Sequence, residues 1–140
     1  MSNLTQAALG TIRLHHVGIV VEDLDASAAR YEQLGFEHGE RFAVPEQGIE
    51  AIVYTAGPGY MELIRPTDPN GAIGRYLIKR GGGVHHVAYA VDDLQATLDR
   101  LRDAGVRLID EVPRQGTHGW RIAFIHPESC AGVLTELVEE

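Results

Sequence analysis

The sequence reads as an α+β chain in which two tandem β-α-β-β-β modules enclose an open, barrel-like cleft. Three observations predict this. A double histidine on an apolar strand occurs twice, in "RLHHVGIVVEDL" from Arg13 and in "GGGVHHVAYAVDDL" from Gly81. Each copy runs into a stretch with helical spacing of apolar residues, and each helix is followed by three strand-like segments. Sliding the chain by 70 residues superposes His15, His16, Val17, Val21, Asp23, Leu24, Ala26, Arg30 and Gly35 on His85, His86, Val87, Val91, Asp93, Leu94, Ala96, Arg100 and Gly105. Chance does not easily give so many matches in one short window, and two repeats suit a paired module better than a solenoid.

The elements follow in order. "LHHVGIVV" and "VHHVAYAV" open the two halves as strands. In the second copy Leu94, Leu98 and Leu101 fall at i, i+4 and i+7, with Asp92 or Asp93 as N-cap and Gly105 just beyond the end. In the first, Leu24, Ala28, Tyr31 and Leu34 form the stripe and Gly35 stops it. The strands "FEHGERFAV", "GIEAIVYTA" and "YMELIRP" complete the first module, and "VRLIDEV", "WRIAFIH" and "GVLTELVE" the second. Gly and Pro mark the joins, and a short helix is expected around Ile73 to Lys79. The expected organisation is one domain over residues 1–140, with modules at 14–66 and 84–139 and a joining segment at 67–83.

Composition narrows the partners. A net charge of −8 argues against nucleic acid, which requires clustered Lys and Arg. Cys130 is the only cysteine, so no disulfide can form within the chain and a reducing, cytoplasmic setting is expected. No stretch reaches the roughly 20 apolar residues of a membrane span, and the opening "MSNLTQAALGTIR" reads as a short tail without a signal-like core.

Alternation along the strands places His16, Gly18 and Val20 on one face, and His86, Ala88 and Ala90 on the equivalent one. A histidine followed by Gly or Ala leaves space, which suits a ligand cleft. The bulkier Val17, Ile19 and Val21, and Val87, Tyr89 and Val91, belong against the helices; His15 and His85 share those faces and are taken as structural. The last strand of each half carries one carboxylate among apolar residues, Glu62 in "MELIR" and Glu136 in "TELVE". Buried carboxylates are costly without a counter-charge. His16, Glu62, His86 and Glu136 together make a neutral donor set for a divalent cation, of a mixed N/O kind that suits Co, Mn, Ni, Zn or Fe rather than Ca. Such a metal cleft leaves two octahedral positions for water or a bidentate substrate. His38 and His126 are expected on the surface or in loops, and His118 on a loop within reach of the cleft.

This doubled unit, with a His and a Glu from each half, resembles the vicinal oxygen chelate superfamily of glyoxalase I, extradiol dioxygenases and bleomycin-resistance proteins. Within it, "VPEQGIEA", "MELIRPTDPNGAIGRYLIKRGGGVHHVAYAVDDL", "GVRLIDEVPRQGTHG" and "AFIHPESCAGVLTELVE" are similar to the methylmalonyl-CoA epimerase family over about Leu14 to Glu139. The resemblance implies a metal-dependent epimerase acting on a small acyl-CoA, as a homodimer, with no nucleic-acid or membrane partner. It implies metal ligation by the same four residues and substrate contacts from Gln47, Ala51, Lys79, Arg80 and His118. Some members carry a catalytic glutamate at the position of Ala51, and most a lysine at that of Glu128. The base is therefore sought among Glu62 and Glu136, one per face, with Glu46 as the outside candidate. Arg114 and Arg121 join Lys79 and Arg80 as cations available to the CoA phosphates. The rival expectations are another metal-dependent superfamily enzyme, such as a lactoylglutathione lyase or an epimerase of a different acyl-CoA, and a metal-free small-molecule-binding or resistance protein.

Overall fold

A computed structural model describes residues 12–140, so the short tail read in the sequence lies, up to Thr11, outside the described residues. The observed fold is α+β, two β-α-β-β-β modules in tandem. The first holds β1 (Arg13–Val20), α1 (Leu24–Gln33), β2 (Glu40–Val44), β3 (Ile49–Ala56) and β4 (Gly59–Pro66). A joining helix, α2 (Ala72–Arg80), precedes β5 (Gly83–Ala90), α3 (Leu94–Asp103), β6 (Arg114–Gln115), β7 (Arg121–Ile125) and β8 (Thr135–Glu139). No helix among the described residues is long and apolar enough to cross a membrane.

The described chain falls into two compact units that divide inside the double histidines, His16–His85 in one and the chain up to His15 with His86–Glu140 in the other. In the first unit the strand order is β2-β3-β4-β1, with β1 parallel to β4 and the rest antiparallel. In the second it is β5-β8-β7-β6, with β5 parallel to β8. A parallel pair needs a crossover, and the helix after each opening strand begins it.

Both helices start where an aspartate can accept a backbone N–H. Asp23 takes the Ala26 amide at 3.0 Å and Asp93 the Ala96 amide at 3.0 Å. The Glu139 carboxylate adds a second acceptor, at 2.8 Å, for the Leu94 amide at the start of α3. In the first unit Leu24 and Ala28 pack with Ile52, Tyr54, Met61 and Leu63, and Ile19, Val21, Tyr31 and Phe36 close the cluster. In the second, Leu94, Leu98 and Leu101 pack with Val91, Ala123, Ile125 and Leu137, joined by Tyr89. Ile19 and Val21, and Tyr89 and Val91, thus meet the helices, as alternation predicts. Leu34 does not belong to the expected stripe: it is the C-cap residue of α1 and stands exposed.

Two strand expectations change. "FEHGERFAV" becomes extended only at Glu40, because Phe36 turns inward onto Tyr31 and Tyr54 and His38 adopts a positive φ. "VRLIDEV" makes no strand beyond a single bridge between Leu108 and Ile125. The Phe124 carbonyl accepts from both Ile109 and Asp110, while the Asp110 side chain takes the Phe124 amide at 2.8 Å. Side-chain competition for backbone partners bulges the segment, Pro113 supplies no amide, and pairing resumes only at Arg114.

Helix α2 covers the expected Ile73 to Lys79 and packs Ile73 on Val44, Ile49 and Ile64. Its approach is set by Gly74. A Cβ there would lie 2.4 Å from the Asp68 carbonyl oxygen and 2.6 Å from that of Pro69. Replacing a Gly within a helix by Ala ordinarily stabilises by up to about 1 kcal/mol, but a clash with fixed backbone reverses the sign. Gly74→Ala is expected to lower stability by about 1–3 kcal/mol, seen as a lower Tm in thermal unfolding.

Candidate functional site

The site is built from the parallel strand pairs. In β1 and β4, Gly18 stands opposite Glu62. In β5 and β8, Ala88 stands opposite Glu136. Each carboxylate thus faces a residue with at most a methyl group, and the histidine two positions earlier on the same strand face reaches it. His16 Nε2 lies 3.3 Å from Glu62 Oε1, and His86 Nε2 lies 2.9 Å from Glu136 Oε1. All four residues are 2–4 % exposed. The spacing between equivalent glutamates is 74 residues against 70 for the histidines, yet the register of the two pairs is the same.

A carboxylate buried to this degree costs several kcal/mol unless balanced, and a neutral imidazole does not balance it. Each pair offers one nitrogen and one carboxylate oxygen beside a small neighbour. That donor chemistry fits a divalent cation of the first transition row or zinc, and every thiol is absent from it. Val53 in β3 and Phe124 in β7 occupy the positions directly across from Glu62 and Glu136. Phe124 stands perpendicular to the His86 ring at 5.6 Å, a contact not anticipated from sequence, although alternation in "RIAFI" puts Ile122 and Phe124 on one face.

Comparison with known proteins places this geometry. Residues 15–124 match the Glyoxalase/Bleomycin resistance protein/Dioxygenase superfamily. The chain belongs to that superfamily. It is 40 % identical over 128 residues to an ethylmalonyl-CoA/methylmalonyl-CoA epimerase of Cereibacter sphaeroides, covering 89 % of this chain and 96 % of that one. It is 37 % identical to the mitochondrial methylmalonyl-CoA epimerase of Bos taurus, over 89 % of this chain and 73 % of the relative. Among solved structures, the methylmalonyl-CoA epimerase of Mycobacterium tuberculosis matches with a TM-score of 0.82 at 42 % identity, over 90 % of this chain and 86 % of that one. A methylmalonyl-CoA epimerase in complex with methylmalonyl-CoA and ammonium matches with a TM-score of 0.83 at 42 % identity, covering 91 % and 94 % of the two chains. Close relatives of this superfamily member are thus isomerases of acyl-CoA thioesters.

The remaining candidates are sorted by the fold. Ala51 is fully buried on the face that carries Glu62, since Val53 is the direct partner of Glu62 and Ala51 lies two residues away. Glu50 points to the other face, where Arg65 Nη1 donates to it at 3.0 Å. Glu46 and Gln47 sit on a one-turn 3-10 segment (Pro45–Gln47) between β2 and β3, Glu46 exposed and Gln47 half-buried. Lys79 and Arg80 are exposed in the last turn of α2. His118 is exposed at a φ of +59° and stacks on Trp120 with ring centroids 4.8 Å apart. Arg121 is engaged with Glu139 at 3.4 Å, Arg114 with Asp110 at 3.3 Å, and Glu128, where relatives were expected to carry lysine, with Arg107 at 2.9 Å. His38 is exposed, and His126 Nδ1 accepts the Glu128 amide in a turn.

The first histidine of each pair has a separate environment. His85 meets Tyr76 edge to face at 4.8 Å. His15, fully buried, meets Trp120 at 4.4 Å and brings Nε2 within 2.9 Å of Glu140 Oε1, which also accepts from Arg13 at 2.7 Å. The Arg13 hydrogen bond, and then the His15 charge, hold the Glu140 carboxyl below its ordinary value of 4.5 against the opposing effect of burial. A lowered folded pKa gives stability that is present above the unfolded pKa and lost as pH falls through the folded one. Wild-type protein is therefore expected to exceed Glu140→Gln in stability at neutral pH, with the gap closing progressively below about pH 4.5. Urea unfolding across that range would read it; a gap that is constant or widens on acidification contradicts the assignment.

Proposed function

We propose that this protein is a divalent-metal-dependent epimerase that interconverts (2R)- and (2S)-methylmalonyl-CoA through an enolate. The observation that carries the reading is the duplicated buried His–Glu pair at one register, in a chain whose relatives are acyl-CoA epimerases. His16, Glu62, His86 and Glu136 are the residues that would hold the ion. The ion, cobalt, manganese, nickel or zinc, would supply Lewis acidity where charge develops as the α-proton leaves.

The chain's own residues do the rest. The carboxylates of Glu62 and Glu136 receive and return the α-proton, one for each face of the planar enolate. Ala51 brings no carboxylate to the Glu62 face, and Glu50 is turned away to Arg65, so no additional carboxylate on β3 competes for the role. Glu46, on its exposed turn, remains the less favoured base. Gln47, Lys79, Arg80 and His118 bound the outer approach for the thioester. The protein works as a homodimer in the cytoplasm, where an unpaired Cys130 is compatible with reducing conditions. A metal-free binding protein would have no use for two buried carboxylates; a lactoylglutathione lyase would share them and is separated by offering both substrates in one assay.

Deuterium uptake at C2 of (2R)-methylmalonyl-CoA in D2O, with loss of configuration, is expected from metal-replete protein and is abolished by chelator. Glu136→Gln is expected to cut exchange by about 10²–10⁴-fold. Chelator-resistant exchange, or a Glu136→Gln protein that retains metal and exchanges normally, would sink the reading.

A further inference from the structure

We infer that Arg114 binds an anionic group of the substrate and sets the direction in which the acyl-CoA lies against the His86–Glu136 pair. The inference rests on the proposed epimerase reading and adds to it a specificity-determining residue.

Register puts Arg114 on the right face. Arg114 is the direct partner of Ile122, Ile122 of Val138, and Phe124 of Glu136. Directly opposed residues in a sheet project to one face and alternate residues along a strand share it. Arg114, Ile122, Phe124 and Glu136 therefore lie together, with His86 and Ala88 of β5 beside them. The guanidinium sits 5.3 Å over the Phe124 ring, and Phe124 in turn stands 5.6 Å from His86. One aromatic ring separates the cation from the buried ligand pair.

The other basic residues named from sequence are placed differently. Arg121 projects to the opposite face, where it meets Glu139, and Lys79 and Arg80 end a helix in the other compact unit. Arg114 keeps binding capacity although it is paired. Its contact with Asp110 is made by Nε, the Asp110 carboxylate also accepts the Phe124 amide, and the arginine side chain is 44 % exposed. Guanidinium offers five N–H donors, so Nη1 and Nη2 remain for a carboxylate or a phosphate. A ligand as negative as an acyl-CoA approaching a chain of net charge −8 requires such local compensation.

The duplication sharpens the point. In the first module the chain Phe42–Ala51–Ile64 occupies the register held by Arg114–Ile122–Val138 in the second. The ligand pairs are equivalent; this flank is apolar in one copy and cationic in the other. Of the two equivalent flanks, the one that bears Arg114 offers a charge to an anionic group of the substrate.

The test compares wild type with Arg114→Met, which keeps an apolar stem over Phe124, and Arg114→Gln, using whichever retains the wild-type Tm, with Arg114→Lys as charge rescue. Each is assayed for α-proton exchange with methylmalonyl-CoA and with methylmalonyl-pantetheine, which lacks the phosphates. The expected result is a KM for the CoA ester raised about tenfold with kcat little changed, partly restored by Lys. If the pantetheine ester is unaffected, the partner is a CoA phosphate; if both esters lose equally, it is the acyl carboxylate. An unchanged KM, or a loss confined to kcat, overturns the inference. Wild-type protein that exchanges neither ester removes the epimerase reading itself, and the inference with it.

Discussion

The structure depends on one arrangement: a carboxylate in a parallel strand pair set directly opposite a residue with almost no side chain. Glu62 faces Gly18 and Glu136 faces Ala88. Parallel ladders are normally buried and filled by branched apolar residues, so a glutamate in that place forfeits packing and carries a desolvation cost of several kcal/mol. The histidine two residues upstream on the partner strand brings a second donor beside it. Stability is correspondingly drawn from elsewhere, from the opposite sheet faces, where the two helices close their own apolar clusters.

Those clusters show how loosely the other face is specified. Helix α3 buries Leu94, Thr97, Leu98 and Leu101, whereas α1 buries only Leu24 and Ala28. The first module makes up the volume with rings: Tyr31, Phe36 and Tyr54 meet edge to face. A fully buried Tyr54 then needs a partner for its hydroxyl. It donates to Glu32 at 2.9 Å, and burial together with that carboxylate pushes its pKa up to about 12. Packing tolerates such exchange of shapes at constant volume. The proposed ligation would not, because nitrogen and oxygen donors must arrive at set positions. Two copies of one module therefore diverged on the helix side and stayed alike at His16/His86, Glu62/Glu136 and the small residues between.

The same difference explains what was legible in the sequence. The repeat exposed the modules, the caps Asp23 and Asp93, the joining helix and both His–Glu pairs, because each rests on short-range spacing or strand alternation. What the sequence hid depends on contacts remote along the chain. Leu34 fits a helical stripe by number, yet the helix ends one residue before it. "VRLIDEV" alternates like a strand, but Asp110 and Phe124 trade side-chain and backbone hydrogen bonds that only the fold brings together. The Glu140 partner of His15 lies 125 residues away, and nothing near His15 announces it. For the basic residues, charge alone ranks Arg114 with Arg121; only register separates the face of one from the face of the other.

Inversion at carbon asks for two things that pull against each other. Proton donors and acceptors must stand on both faces of a planar intermediate, or the centre cannot be inverted. Under the proposed reading a duplicated module answers this, since Glu62 and Glu136 hold equivalent strand positions, each beside an imidazole and each buried. A thioester with a long charged tail, however, cannot be held by a symmetric surface, which would bind it in either direction and present the α-carbon wrongly half the time. Symmetry has to end within a residue or two of the reacting carbon. On the second module it ends at Phe124 and Arg114, where the first has Val53 and Phe42. In the proposed reading, the residues that differ between the modules on this face are those that orient the substrate, and the residues that match are those that treat its two configurations alike.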